Sequence, residues 1–294
     1  MKIRAILTAL LMLAAGGAGA AARPNLVVEG VQMPAWVEHA SGARDALVPG
    51  AALDSKDRIY TGPGARALLR LADGSLIKLG ENGNLALDDL GQRKIKLTDV
   101  VTASLDVVSG AFRFTTQALY KFRGERDVKV RIVTITAGIR GTDLWGKADK
   151  ARDVVCLIEG RIEVVREKQA FTMDQPMSFY IAPRNEPPQP VAPVSKEQLA
   201  QWAVETEIAA GAGAVRTGGK WRLYLIDANS QDDALKAYDR LRNAGYAAEI
   251  RPVTGDAGTT YRVRISNLAS QQEAGALAAK LKGRLGITEP KVSR

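Results

Sequence analysis

Hydrophobic and polar positions follow two different rhythms along this chain, and the change of rhythm divides it. From about residue 25 to 182 the pattern is short β-branched runs separated by turn residues. Ala67-Leu68-Leu69-Arg70-Leu71 and Leu76-Ile77-Lys78-Leu79 flank Asp73-Gly74, a strong hairpin signal. Residues 128–136 and Arg161-Ile162-Glu163-Val164-Val165 read as further strands. No long segment of period 3.6 interrupts them. This predicts an all-β, sandwich-like domain over 25–182. Glu159-Gly160 reads most simply as another hairpin turn.

After residue 219 the rhythm alternates between period 2 and period 3.6, and it repeats with an offset of 40. Trp221-Arg222-Leu223 aligns with Tyr261-Arg262-Val263, and Ser230-Gln231-Asp232-Asp233-Ala234 aligns with Ser270-Gln271-Gln272-Glu273-Ala274. Each half reads as strand, cap, helix, strand. Ser230 and Ser270 are N-caps, and Asp233 and Glu273 place negative charge in the first turns. Ala234, Ala237, Tyr238 and Leu241 share one helix face; Ala274, Leu277, Ala278 and Leu281 share the other. The expectation is an α+β βαββαβ domain of ferredoxin-like type over 219–294, with both helices on one face of the sheet. Pro290 marks the last strand as an edge. The chain is thus multidomain.

Between the two patterns, residues 183–193 contain five prolines, which reads as a stiff extended linker. A short helix follows, capped by Ser195 with Gln198 three residues on, and Trp202 is expected to pack it back on a neighbouring domain. Gly211-Ala212-Gly213 and Gly218-Gly219 suggest a flexible joint, so 183–218 is taken as linker. At the other end, Lys2 and Arg4 precede an apolar run over 5–15 and then Ala18-Gly19-Ala20 or Ala20-Ala21-Ala22. This is the layout of an export signal over 1–22, cleaved near 20–22. The apolar run is shorter than the roughly 20 residues a membrane span needs, and no later segment is apolar enough to span a bilayer. A periplasmic protein without a transmembrane segment after cleavage is expected.

Alternation on the predicted sheet leaves one face open. Leu223 and Leu225 point to the helices, as do Val263 and Ile265; Arg222, Tyr224 and Ile226, with Arg262, Arg264, Glu249 and Arg251, point away. Charge sharpens this picture. Residues 219–294 carry 13 basic and 8 acidic side chains, the densest positive charge in the chain, whereas 23–183 carry 23 and 20. An anionic partner for that face follows. RNA-recognition domains share βαββαβ, but Tyr261-Arg262-Val263-Arg264-Ile265-Ser266 lacks their aromatic signature, and export removes the chain from RNA. No nucleic acid is expected.

The residues Trp221-Arg222-Leu223-Tyr224-Leu225, the helix with Ala234 and Leu241, Gly245-Tyr246 and Tyr261-Arg262-Val263-Arg264-Ile265 resemble the SPOR domain over about 75 residues. The resemblance implies binding to peptidoglycan glycan strands stripped of their peptides, often at division sites, with Arg262 where the family places a glycan-binding arginine. The implied glycan-binding set is Arg222, Tyr224, Arg262, Arg264 and Arg251. Tyr224 stands where the family often has Gln, Asp227-Ala228 where it has Ser-Phe, and Ser266 where it has Gly. Ile59-Tyr60-Thr61-Gly62, Leu71-Ala72-Asp73-Gly74-Ser75 and Val133-Thr134-Ile135-Thr136-Ala137-Gly138-Ile139-Arg140-Gly141-Thr142 resemble the FecR family, over roughly 30–168. That resemblance implies a non-enzymatic extracytoplasmic module, known best from relays to sigma factors. The sequence carries no cytoplasmic anti-sigma segment, so a protein or surface ligand in the envelope is the expected partner of 25–182.

Chemistry for catalysis is sparse. One His, His39, and one Cys, Cys156 in the apolar run Val154-Val155-Cys156-Leu157-Ile158, leave no His-rich metal site and no internal disulfide, and weaken any Ser-His or Cys-His scheme. Glu81, Asp88, Asp89 and Glu159 each have a turn or solvent explanation, against a paired-carboxylate glycosidase. No catalytic residues, metal or cofactor are expected. A FecR-type signalling role and a cell-wall hydrolase are the alternatives.

Overall fold

A computed structural model describes residues 25–116, 124–255 and 258–294 of the 294-residue chain. The export signal read over 1–22 lies outside them. In the N-terminal part the strands are β1 Leu26–Gln32, β2 Ala35–Glu38, β3 Arg44–Ala46, β4 Ala52–Leu53, β5 Arg58–Thr61, β6 Arg66–Leu71, β7 Leu76–Leu79, β8 Asn84–Ile95, β9 Thr98–Thr115, β10 Glu125–Ile132, β11 Ile135–Ala148, β12 Arg152–Arg166, β13 Gln169–Met173 and β14 Ser178–Pro183. There follow β15 Ala192–Pro193, α1 Lys196–Val204 and β16 Ala214–Arg216. The C-terminal part is β17 Trp221–Ala228, α2 Gln231–Asn243, β18 Ala248–Gly255, β19 Gly258–Leu268, α3 Gln271–Leu281 and β20 Lys291–Ser293.

The N-terminal part is built from strands alone, as the alternating pattern demanded. Its strands do not sort into two separate sheets. Seven of them pair in the order β1–β6–β7–β9–β8–β5–β2 and curl into a small barrel-like core. Val28, Val31, Leu69, Ile77, Leu85, Leu105 and Phe114 are almost fully buried there. The long strand β9 extends this core into a second region. Its first half lies parallel to β10, and its second half pairs antiparallel with β11. The β6–β7 hairpin turns at Asp73-Gly74, with Gly74 at φ 86°. Asp73 is fully buried; it accepts from the Ser75 backbone N–H (2.9 Å) and the Ser75 hydroxyl (2.7 Å), and pairs with Arg126. A buried carboxylate without such hydrogen-bond partners would cost the fold several kcal/mol.

Glu159-Gly160 is not a turn. It sits inside β12, opposite the register shift between Arg140 and Asp143 in β11. Gly160 takes φ 91°, and a Cβ there would lie 2.4 Å from the Gly141 carbonyl oxygen. Two kinked strands nest at this point, which needs a residue without a side chain.

The C-terminal part has the βαββαβ order that the repeat implied. Ser230 accepts from the Asp233 N–H and Ser270 from the Glu273 N–H, each capping its helix. Leu223, Val263 and Ile265 face Ala234, Leu241, Ala274, Leu277 and Leu281 across the core. Burying each aliphatic side chain contributes about 1.5–3 kcal/mol before entropy is counted.

The linker is folded on both sides of its helix. Trp202 of α1 stacks on Trp145 (centroids 4.9 Å, planes 4° apart) and meets Phe179 edge-on. Glu205 pairs with Lys147 at 2.7 Å. The glycine-rich joint is held too. The Glu273 carboxylate, at the start of α3, accepts the backbone N–H groups of Gly211 (2.7 Å), Gly213 (2.6 Å) and Ala214 (2.8 Å). Those bonds deliver β16 between the two parts. It pairs antiparallel with β1 through Gly30–Arg216, Val31–Val215 and Gln32–Ala214, and with β19 through Val215–Leu268.

The end of α2 docks on the barrel nearby. The Ala35 N–H donates to the Gly245 carbonyl (3.1 Å) and Trp36 Nε1 to the Asn243 carbonyl (3.1 Å). Carbonyls left free where a helix ends thus find donors on the other domain. Gly245, at φ 80°, lies where a Cβ would come within 2.7 Å of the Trp36 ring. Lys280 Nζ reaches the Met33 carbonyl at 2.7 Å, and Arg242 pairs with Asp45 at 3.3 Å.

Candidate functional site

The helices cover one face of the C-terminal sheet and leave the other to solvent. Strand order across that face is β20–β17–β19–β18. Direct cross-strand partners place Lys291, Tyr224, Arg264 and Glu249 in one row, and Asp227, Arg262 and Arg251 in the next. Arg222 lies opposite Ser293 at the far end, its Nη1 donating to the Arg294 carbonyl at 2.9 Å. The five residues expected from alternation therefore share one surface.

Arg262 is the centre of the face. Its guanidinium lies 4.8 Å from the centroid of the Tyr224 ring and donates to Asp227 through Nε (2.7 Å) and Nη2 (3.4 Å). The bond to Asp227 raises its already high pKa further. Arg262 remains a third exposed and Asp227 half exposed. Arg264 is more enclosed, 19% exposed, and donates to Glu249 at 2.9 Å; Arg251 pairs with the same carboxylate at 3.1 Å, and the Ser266 hydroxyl also donates to it. Burial alone would raise the Glu249 carboxyl, but the Ser266 and Arg264 bonds outweigh it and hold it below the usual range.

Two features were not legible from alternation. A bulge between Tyr224 and Ile226 turns the end of β17 over, so that Asp227 joins the open face while Ile226 packs against the core. Lys291 enters from the short edge strand, beside Tyr224. A cleft of about 280 Å³ continues the face below Tyr224 and Asp227, lined also by Thr288, Glu289 and Lys291. A larger hollow of about 650 Å³ lies on the N-terminal part between Val108, Val133, Lys147, Arg184 and Glu205. There Lys147 is already paired with Glu205, and Arg184 with the buried Asp153.

Residues weighed for catalysis do not assemble. Burial pushes the Cys156 thiol up to about 12, which leaves it unreactive. His39 lies between Asp57 (3.2 Å) and Asp45 (3.7 Å). Glu81 accepts the Gly64 N–H, and Asp88 pairs with Arg131. The side chain of Arg140, in the FecR-like stretch, lies outside the described residues. Among the described residues no helix is long and apolar enough to cross a membrane, and no three His, Cys, Asp or Glu side chains cluster as for a metal.

Fold and face together define a class: a β-barrel-like module joined to a small α+β module whose open sheet face is rich in arginine. Within that class, residues 57–163 match the FecR protein family and residues 217–291 match the SPOR domain, so the chain carries a FecR domain followed by a SPOR domain. SPOR domains are extracytoplasmic and bind peptidoglycan, and neither family is catalytic. No curated protein matches the sequence. Two crystal structures, each of a candidate anti-sigma factor from Parabacteroides distasonis, are similar at 15% and 14% identity. They cover 76% and 81% of this chain and 90% and 98% of their own, each with a TM-score of 0.39.

Proposed function

We propose that this chain is a non-enzymatic periplasmic protein, exported by a signal over 1–22, that holds peptide-stripped peptidoglycan glycan strands on its SPOR domain. In this reading residues 219–294 bind the glycan through Arg222, Tyr224, Arg262, Arg264 and Arg251. Residues 25–182 form the FecR domain and serve as a protein- or ligand-interaction module, with 183–218 between them. The observation that carries the reading is Arg262 stacked on Tyr224 at 4.8 Å on a sheet face that solvent reaches.

The chemistry follows from what amide cleavage leaves behind. Removing the stem peptide exposes a lactyl carboxylate on each N-acetylmuramic acid. Arginine binds a carboxylate with two parallel N–H donors, and an aromatic ring covers the apolar face of a sugar. The Arg262–Asp227 contact is itself an arginine–carboxylate pair, close at Nε (2.7 Å) and long at Nη2 (3.4 Å). The FecR domain leaves this face free, because its contacts run through β16, the end of α2 and Lys280.

The test is co-sedimentation of the full chain with sacculi before and after amidase treatment. Binding should rise on treated sacculi, and Arg262→Ala should weaken it about tenfold, in line with loss of one charge-assisted pair. Equal binding to both preparations, untouched by the substitution, overturns the reading. Sustained release of soluble muropeptides by the pure protein would favour a hydrolase instead.

A further inference from the structure

The geometry points to Asp227 as an internal carboxylate that occupies Arg262 until a glycan carboxylate exchanges with it. This rests on the glycan-binding reading above and adds the residue that sets how tightly the face holds its ligand.

The face carries two acids, and they differ in kind. Glu249 is enclosed among Arg264, Arg251 and Ser266, and all three point at its carboxylate. Losing it would leave two cations and a hydroxyl to be satisfied at once, so it belongs to the framework of the sheet. Asp227 has one side-chain partner among the described residues, Arg262. It stands half exposed on the bulged end of β17, at the mouth of the cleft below Tyr224. Released from Arg262, its carboxylate needs only a small rotation to be hydrated, and an ion pair this exposed holds weakly.

Arg262 does not depend on Asp227 for its position. The Tyr224 ring lies against its guanidinium, and its strand is fixed on either side by backbone pairing with Asp227 and Arg251, which a change of the Asp227 side chain leaves in place. Both guanidinium nitrogens that now donate to Asp227 would donate to an incoming lactyl carboxylate in the same way. The ligand therefore replaces one carboxylate by another and gains only the difference. Asp227 lowers affinity and keeps binding reversible along a strand that offers a carboxylate at every muramic acid.

The experiment compares the full-length wild type with Asp227→Asn and Asp227→Glu on amidase-generated glycan strands, and on the same strands after their carboxylates are converted to primary amides. Asp227→Asn should bind the carboxylate strands about two- to fivefold tighter, the range expected from freeing one exposed pair. Its binding should also weaken more steeply with salt, because one more cation is uncompensated. Asp227→Glu should stay near wild type, and the gain should vanish on amidated strands. An Asp227→Asn variant that binds no tighter, or gains equally on amidated strands, overturns the exchange. A wild type that binds neither strand overturns the glycan-binding reading itself.

Discussion

At the scale of single residues, the open face works by pairing each arginine with something that keeps it oriented. Glu249 is the clearest case, and it has a measurable consequence. Its carboxyl is held below its ordinary value, so the folded state binds the proton less readily than the unfolded state. That contribution to stability is complete above the ordinary carboxylate pKa of about 4.5 and is lost as pH falls through the depressed value. Acid denaturation monitored by circular dichroism should show this component in the wild type. In Glu249→Gln it should disappear, with lower stability at neutral pH. An unchanged acid profile in the variant would remove Glu249 from the framework. Most of this face was legible in the sequence, because side chains on a strand alternate and the helices had to take Leu223, Val263 and Ile265. Asp227 was not, since a bulge reverses the alternation and nothing in Leu225-Ile226-Asp227 announces one.

At the scale of elements, the helix caps were readable and the use made of one of them was not. Ser270 and Glu273 stand at the spacing of a capping pair, and Ser270 does accept the Glu273 N–H. The Glu273 side chain, however, turns outward to three backbone N–H groups of the linker. A glycine-rich stretch that reads as a loose joint is thereby ordered by a residue some 60 positions away. No local pattern carries that information. Replacing Glu273 with Gln removes the charge and leaves one acceptor oxygen for three donors. The expected cost is about 1–3 kcal/mol, the usual penalty for leaving buried donors short of a partner. Hydrogen exchange at residues 211–216 should accelerate strongly in this variant. Unaltered protection there would mean that β16 is held by its strand pairing alone. The misread Glu159-Gly160 has a similar cause: a glycine that marks a turn also permits two kinked strands to nest, and only the pairing of β11 with β12 distinguishes them.

At the scale of the whole molecule, the two domains are joined by more than covalent continuity. One strand, β16, belongs to both, and the end of α2 completes its hydrogen bonding on Ala35 and Trp36. Scanning calorimetry of the full chain should therefore show one cooperative transition; two resolved transitions would contradict the shared strand. The bearing of this on the cell wall is mechanical. A free tether of 36 residues could lengthen to roughly 120 Å before it passed on any tension. Here the segment between the domains is fastened at Trp202, at Glu273 and along β16, and has no slack to give. On the proposed reading, a glycan strand drawn tight on the SPOR face would pull on the FecR barrel at once, through β19, β16 and β1.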